Sequence, residues 1–188
     1  MFALARSTLK ISHVNIRQEK RGVDDVNAID LKIEGAFPQS ILDAIAPDLL
    51  DSIYEAADGG DDHAGVGPDA DEIGVSADAN MPQLRDLRIA WPIGIEFEGI
   101  GYTLEVQRGI GSPMQFGGVK VNKIKVEPLE GGTVNLTLRA QISPIEAEDV
   151  GRLSAMLNRQ TEIALIAPTA ADLAQLGIGD DADDDADE

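Results

Sequence analysis

Thr133-Val134-Asn135-Leu136-Thr137-Leu138-Arg139-Ala140-Gln141-Ile142 alternates apolar and polar side chains without a break. Val134, Leu136, Leu138, Ala140 and Ile142 fall on one face; Thr133, Asn135, Thr137, Arg139 and Gln141 fall on the other. Successive side chains of a strand point to opposite faces, so this period of two predicts a half-buried β-strand. Glu130-Gly131-Gly132 supplies a turn just before it, and Val119 to Glu127 supplies an antiparallel partner. In that partner the alternation slips by one residue between Val121 and Ile124, which predicts a β-bulge near Asn122.

The same pattern extends toward the N-terminus. Leu9 to Arg17 reads as a strand with Ile11, Val14 and Ile16 as its apolar positions. Val26 to Glu34 reads as its partner, Ile29, Leu31 and Ile33 alternating with Asp30, Lys32 and Glu34. Leu87 to Ala90 is a short strand. Ile93, Ile95 and Phe97 form one further run, and Tyr102, Leu104 and Val106 another, with Gly99 and Gly101 predicting a hairpin loop between them. Glu162 to Ile166 reads as a last strand before Pro168.

Two helices interrupt the strands. In Gln39 to Tyr54 the residues Ile41, Ile45, Leu49 and Ile53 make one apolar stripe, and Ser40 with Asp43 resembles a capping box. Pro47 cannot donate an amide, so it kinks this helix or divides it in two. Ser143-Pro144-Ile145-Glu146 has the order of a helix start, with a capping serine, proline at the first position and a closing glutamate. Ala147, Val150, Leu153 and Leu157 would form its buried face. Ala170 to Leu176 reads as a short helix before the tail.

Consecutive strands with no β-α-β rhythm predict an α+β fold, mostly antiparallel β, as an OB-like barrel or a small sandwich with two helices. The length of 188 residues fits one domain. Residues 1–168 are expected to form it, with a flexible acidic loop at 58–80, followed by a linker and a disordered acidic C-terminal tail at 169–188.

The net charge of −19 is concentrated. Asp58 to Asp78 carries seven acids and no lysine or arginine, and Asp180 to Glu188 carries seven more. Setting those fourteen aside leaves −5 of the −19 on the remainder. Like charges and little apolar surface predict that both segments stay unfolded. No apolar run reaches the roughly 18 residues of a membrane span, and Phe2 to Ala5 is too short for a signal-peptide core. A cytoplasmic protein that avoids membranes is expected.

Few residues suggest chemistry. With no cysteine and only His13 and His63, a closed zinc site is not expected, and His13 reads as a half-exposed strand residue. Asp69 to Gly74 has the opening spacing of a calcium loop, but Ile73 stands where an oxygen ligand is needed and Asn80 where a bidentate glutamate belongs. Gly109, Gly111, Gly117 and Gly118 are followed by no phosphate-binding Gly-Lys-Ser/Thr. No catalytic motif, cofactor or metal site is expected, and the protein does not read as an enzyme.

The cations are more informative. Arg17, Lys20 and Arg21 cluster at the end of the first hairpin. Lys120, Lys123 and Lys125 share a strand, Arg139 lies on the polar face of its neighbour, and Arg85 and Arg88 precede Trp91. On one antiparallel sheet they would line a basic groove for nucleic acid. Trp91, Phe97, Tyr102 and Phe116 either stack bases there or belong to the core, the commoner place for such residues.

A β-rich body followed by a run of terminal acids over Gly177 to Glu188 resembles the single-stranded-DNA-binding proteins of phages and bacteria. The resemblance implies that the body binds the strand. It also implies that the tail (Asp180, Asp181, Asp183, Asp184, Asp185, Asp187 and Glu188) recruits a recombinase, nuclease or polymerase or folds back into the DNA groove. This tail ends in Asp187-Glu188, whereas those tails typically end in an apolar or aromatic residue. His13 to Lys20, with Ala28 to Lys32, is also similar to phage and prophage proteins, which implies a phage setting in a bacterial host. A mobile polyanion competes with phosphate for a basic groove at high effective concentration, whatever its family. The expected function is therefore an accessory role in phage DNA replication or recombination, through single-stranded-DNA binding. An acidic DNA mimic that inhibits a host nuclease or defence system, and a virion or assembly protein that forms homo-oligomers, are the competing readings.

Overall fold

The structure, a computed structural model, describes residues 2–55, 86–107, 109 and 111–175. Within them lie β1 (Leu4–Arg21), β2 (Asp24–Pro38), α1 (Ile41–Ile45), α2 (Leu49–Ile53), β3 (Tyr54–Glu55), β4 (Asp86–Leu87), β5 (Ile93–Val106), β6 (Met114–Leu129), β7 (Thr133–Ile142), α3 (Ala147–Ser154), β8 (Gln160–Ile166) and α4 (Ala170–Gln175). The fold is mostly antiparallel β. Six strands pair in the closed cyclic order β1-β2-β7-β6-β5-β8, and β3 and β4 form a separate two-stranded ribbon. Every pairing in the cycle is antiparallel. Among the described residues no helix is long and apolar enough to cross a membrane.

Strand alternation places the core. Ile29, Leu31 and Ile33 of β2, Val121, Ile124 and Val126 of β6, and Val134, Leu136, Leu138 and Ala140 of β7 all turn inward and are buried. Leu42, Leu50, Ile53, Ile145, Leu153 and Met156 bring the helical segments onto the same core. Tyr54 is buried, and its hydroxyl lies 3.0 Å from the Leu129 carbonyl and 3.1 Å from that of Thr133, tying the ribbon to the β6–β7 turn. The β6–β7 pair lies where the alternation predicts it, and so does the bulge: the register slips between Asn122 and Lys125. The short strand expected over Leu87 to Ala90 is instead Asp86–Leu87 and ends before Arg88. Pro47 separates α1 from α2, as its missing amide requires.

Four local expectations are corrected. Gly99 and Gly101 do not make a hairpin loop, because β5 runs unbroken from Ile93 to Val106. They are irregular points within that strand: its register against β6 shifts on both sides of Gly99, and Gly101 has φ +88°. Ser40 precedes α1 without a side-chain capping bond, so the capping box does not form. Ser143 does not cap α3 either. Its hydroxyl donates to Glu19 at 2.6 Å, and α3 begins at Ala147, after Glu146. Leu157 lies beyond the end of α3 and is exposed, and so is Ala147; Leu153 is buried as expected, and Met156 is buried in addition. For Gly99 and Gly101 a continuing ladder, and for Ser143 a tertiary partner, took a residue that local spacing had assigned elsewhere.

The irregularity at Gly99 yields a prediction. A Cβ there would lie 2.4 Å from Cε2 of Tyr102 and 3.1 Å from two ring atoms of Phe97. Both rings pack edge to face, their centroids 6.4 Å apart, so neither can yield freely. Gly99→Ala is expected to cost about 1–3 kcal/mol by overpacking, read as a lower urea midpoint with an unchanged slope.

Candidate nucleic-acid interface

The closed sheet brings the polar positions of four adjacent strands onto one outer face. Register aligns Asn15, Asp30, Gln141 and Lys120 in one row across β1, β2, β7 and β6. The next row is His13, Lys32, Arg139 and Asn122, and the next Lys10, Glu34, Thr137 and Lys125. Lys123, φ +52°, is the extra residue of the β6 bulge, so Asn122 and Lys123 both turn outward between buried Val121 and Ile124. A bulge re-aims side chains, and this one adds a cation to the face.

Asp30 is the hub of the first row. It lies on the outer side of β2 yet is only 4% exposed, because its neighbours cover it. Arg17 reaches Oδ1 with Nε at 3.2 Å and Nη2 at 3.1 Å; Gln141 donates to Oδ1 at 3.0 Å. Asn15 donates to Oδ2 at 3.2 Å, and Arg139 Nη2 bonds the same oxygen. Burial pushes the Asp30 carboxyl up, but the bonds from Gln141, Arg17, Arg139 and Asn15 outweigh it and hold the carboxyl well below the usual carboxylate range. The network continues outward: Asn122 Nδ2 donates to Gln141 Oε1 at 3.0 Å, leaving Asn122 Oδ1 buried without a partner.

The two arginines on Asp30 are not equivalent. Arg17 uses Nε and Nη2 on Asp30 and Nη1 on Glu19, so its fork is consumed within the protein. Arg139 uses only Nη2. Its other donors remain available, while Asp30 fixes the plane of the group.

Two adjoining hollows run along this face. One, of about 530 Å³, is lined in part by Lys10, Lys32, Glu34, Lys125 and Thr137. The other, of about 320 Å³, is lined in part by His13, Lys32, Lys123, Thr137 and Arg139. Lys32 and Thr137 line both, so the two hollows adjoin and together make up the trough of this face. From Asp30 to Ala36 it follows seven residues of β2, six steps of about 3.3 Å or about 20 Å in all. Lys32 is paired with Glu34 at 2.6 Å. That bond, offset by a smaller upward push from burial, holds the Glu34 carboxyl below its ordinary range. Lys10, Lys123 and Lys125 have no salt bridge among the described residues.

Of the residues expected to bind nucleic acid, the fold gathers Arg139, Lys123 and Lys125 in the trough. Lys120 lies beside it in the Asp30 row but is held by Glu98 at 2.5 Å. Arg17 adjoins it through Asp30. Lys20 and Arg21 lie farther along the β1–β2 hairpin, opposite Asp25 and Asp24, and Arg21 donates to the Ser143 carbonyl at 2.9 Å. Arg88 follows β4 and is paired with Glu55 at 2.7 Å, so it is engaged in the ribbon. Trp91 is 66% exposed and stands three residues before Gly94, the register partner of Lys125. Tyr102 and Phe116 are buried, and Phe97 packs against the core, so these three are not stacking platforms. Lys10 and Lys32 were missed. Both sit at outward positions of β1 and β2, and only the β2–β7 pairing shows that they face the β6 lysines.

The acidic stretch 58–80, Arg85 and the tail from Asp180 to Glu188 lie outside the described residues. Among the described residues no group of three or more His, Asp or Glu is placed to hold a metal ion. Comparison with protein-family models, with curated proteins and with solved structures found no match to this chain.

Proposed function

We propose that this protein binds single-stranded DNA along the outer face of β1, β2, β7 and β6, as an accessory of phage nucleic-acid metabolism, and that its acidic tail competes with DNA for that face. The observation that carries the reading is the trough itself. Its two hollows adjoin, and together they hold three lysines without salt bridges and an arginine with free donors in a chain of net charge −19. Among the described residues most of the other cations (Arg6, Arg17, Lys32, Arg88, Lys120 and Arg152) are tied to carboxylates. Use of a strand face on a closed barrel would be OB-like. Histidine is the one aromatic lining residue of the trough, so contacts go to phosphate more than to bases, and binding is sequence-tolerant and salt-sensitive.

Anisotropy of a fluorescein-labelled oligothymidylate tests this. With Lys10, Lys123, Lys125 and Arg139 on phosphates, log K should fall with log salt at a slope of about −3. Absence of binding at about 20 mM salt, by the intact chain and by a chain with a neutralised tail, would remove the reading.

A further inference from the structure

We infer that the smaller hollow is a dedicated phosphate seat, with Arg139 and Lys123 as its ligands and Asp30 as the positioning residue that sets Arg139. The inference rests on the DNA-binding reading for its natural ligand, a phosphodiester, but the seat itself can be tested with inorganic pyrophosphate.

Three observations converge there. The hollow, of about 320 Å³, has a mainly apolar wall that includes Leu31 and Leu138, with Arg139, Lys123, Lys32 and His13 also lining it, and Asp30 is the one carboxylate among the described lining residues. That carboxylate is already bonded by two arginines and two amides, so it presents little free charge to an incoming anion. Arg139 is anchored at one nitrogen, which leaves the rest of a planar fork to meet phosphate oxygens in two parallel bonds. Lys123 holds a left-handed backbone conformation that a lysine seldom adopts, inside the bulge that turns it outward. Unfavourable backbone retained at a bulge is a mark of a functional position. The larger hollow differs: Glu34 and Glu127 stand among its lysines, so it attracts a passing strand without gripping one phosphate.

Arg139→Lys keeps the charge and loses the fork. It should weaken oligothymidylate binding about tenfold with an unchanged salt slope, a readout that loss of charge alone would not give. Lys123→Gln is exposed and keeps the fold testable if Arg139→Lys is poorly folded by circular dichroism. It should make the salt slope shallower by about 0.7. Pyrophosphate should shift the NMR signals of Arg139 and Lys123 in the intact chain and should compete with the oligonucleotide. If the intact chain binds oligothymidylate while both variants match it in affinity and slope, the seat is wrong and the DNA reading stands. If pyrophosphate binds at Arg139 and Lys123 while oligothymidylate does not bind, the seat stands and the DNA reading falls. If neither probe binds, both fall.

Discussion

Asp30→Ala is expected to destabilise the fold by about 3 kcal/mol, the low end of the cost of removing one partner from a buried ion pair. The low end applies because the side chains of Arg17 and Arg139 remain 30% and 29% exposed, and water can take up part of their charge. The loss is still large because four donors converge on one carboxylate, and removing it leaves all four facing a gap across three strands. Urea unfolding at neutral pH measures it. The pH dependence checks the cause. In the folded chain the Asp30 carboxyl sits well below its ordinary value of 3.8. Its contribution is therefore complete above the unfolded-chain value and is lost as the pH falls through that value toward the folded one. The urea midpoint of the native protein should drop between about pH 5 and pH 2, and Asp30→Asn should show a shallower drop. Parallel curves for the two proteins would show that the hub adds nothing to stability.

Converting the seven acids between Asp180 and Glu188 to amides is expected to tighten oligothymidylate binding about tenfold at 50 mM salt, an effect of order 1.4 kcal/mol. On the proposed reading the tail, being covalently attached, would meet the trough at high effective concentration whatever the protein concentration. DNA would then have to displace it, and the amide form would remove the competitor while keeping the chain length. The advantage should shrink at about 0.3 M salt, where screening weakens tail and DNA alike. Equal affinity of the two proteins across the salt range would show that the tail does not occupy the face.

The parts of this design legible from the linear chain are those governed by near neighbours. Alternation over Thr133–Ile142 names the buried face of β7 because a strand repeats every two residues. The slip at Asn122 marks the bulge because one extra residue must break that period. Gly99 and Gly101 show the limit: glycine marks a departure from regular backbone, but a turn and an irregularity within a continuing strand look alike until the partner strand is known. Ser143 shows the same limit at a helix start, since Glu19, 124 residues away, claims the hydroxyl.

The sequence by itself determined that the protein is mostly antiparallel β, which side of β2 and of β7 is apolar, and that its acids crowd into two segments. These follow from periodicity and from charge repulsion between near neighbours. On β1 the same reading placed Ile16 with the apolar positions, although that side chain is exposed. Only the tertiary structure decided which cations remain available. Arg17 and Arg139 look alike in the chain, yet one is consumed by Asp30 and Glu19 while the other keeps donors free beside a hollow. That distinction depends on β1 and β7 flanking β2: the β1 contact to Asp30 is local, but Arg139 reaches it only through a β2–β7 pairing between residues more than a hundred positions apart. Charge acts through distance in space, and the distances were set only when the barrel closed.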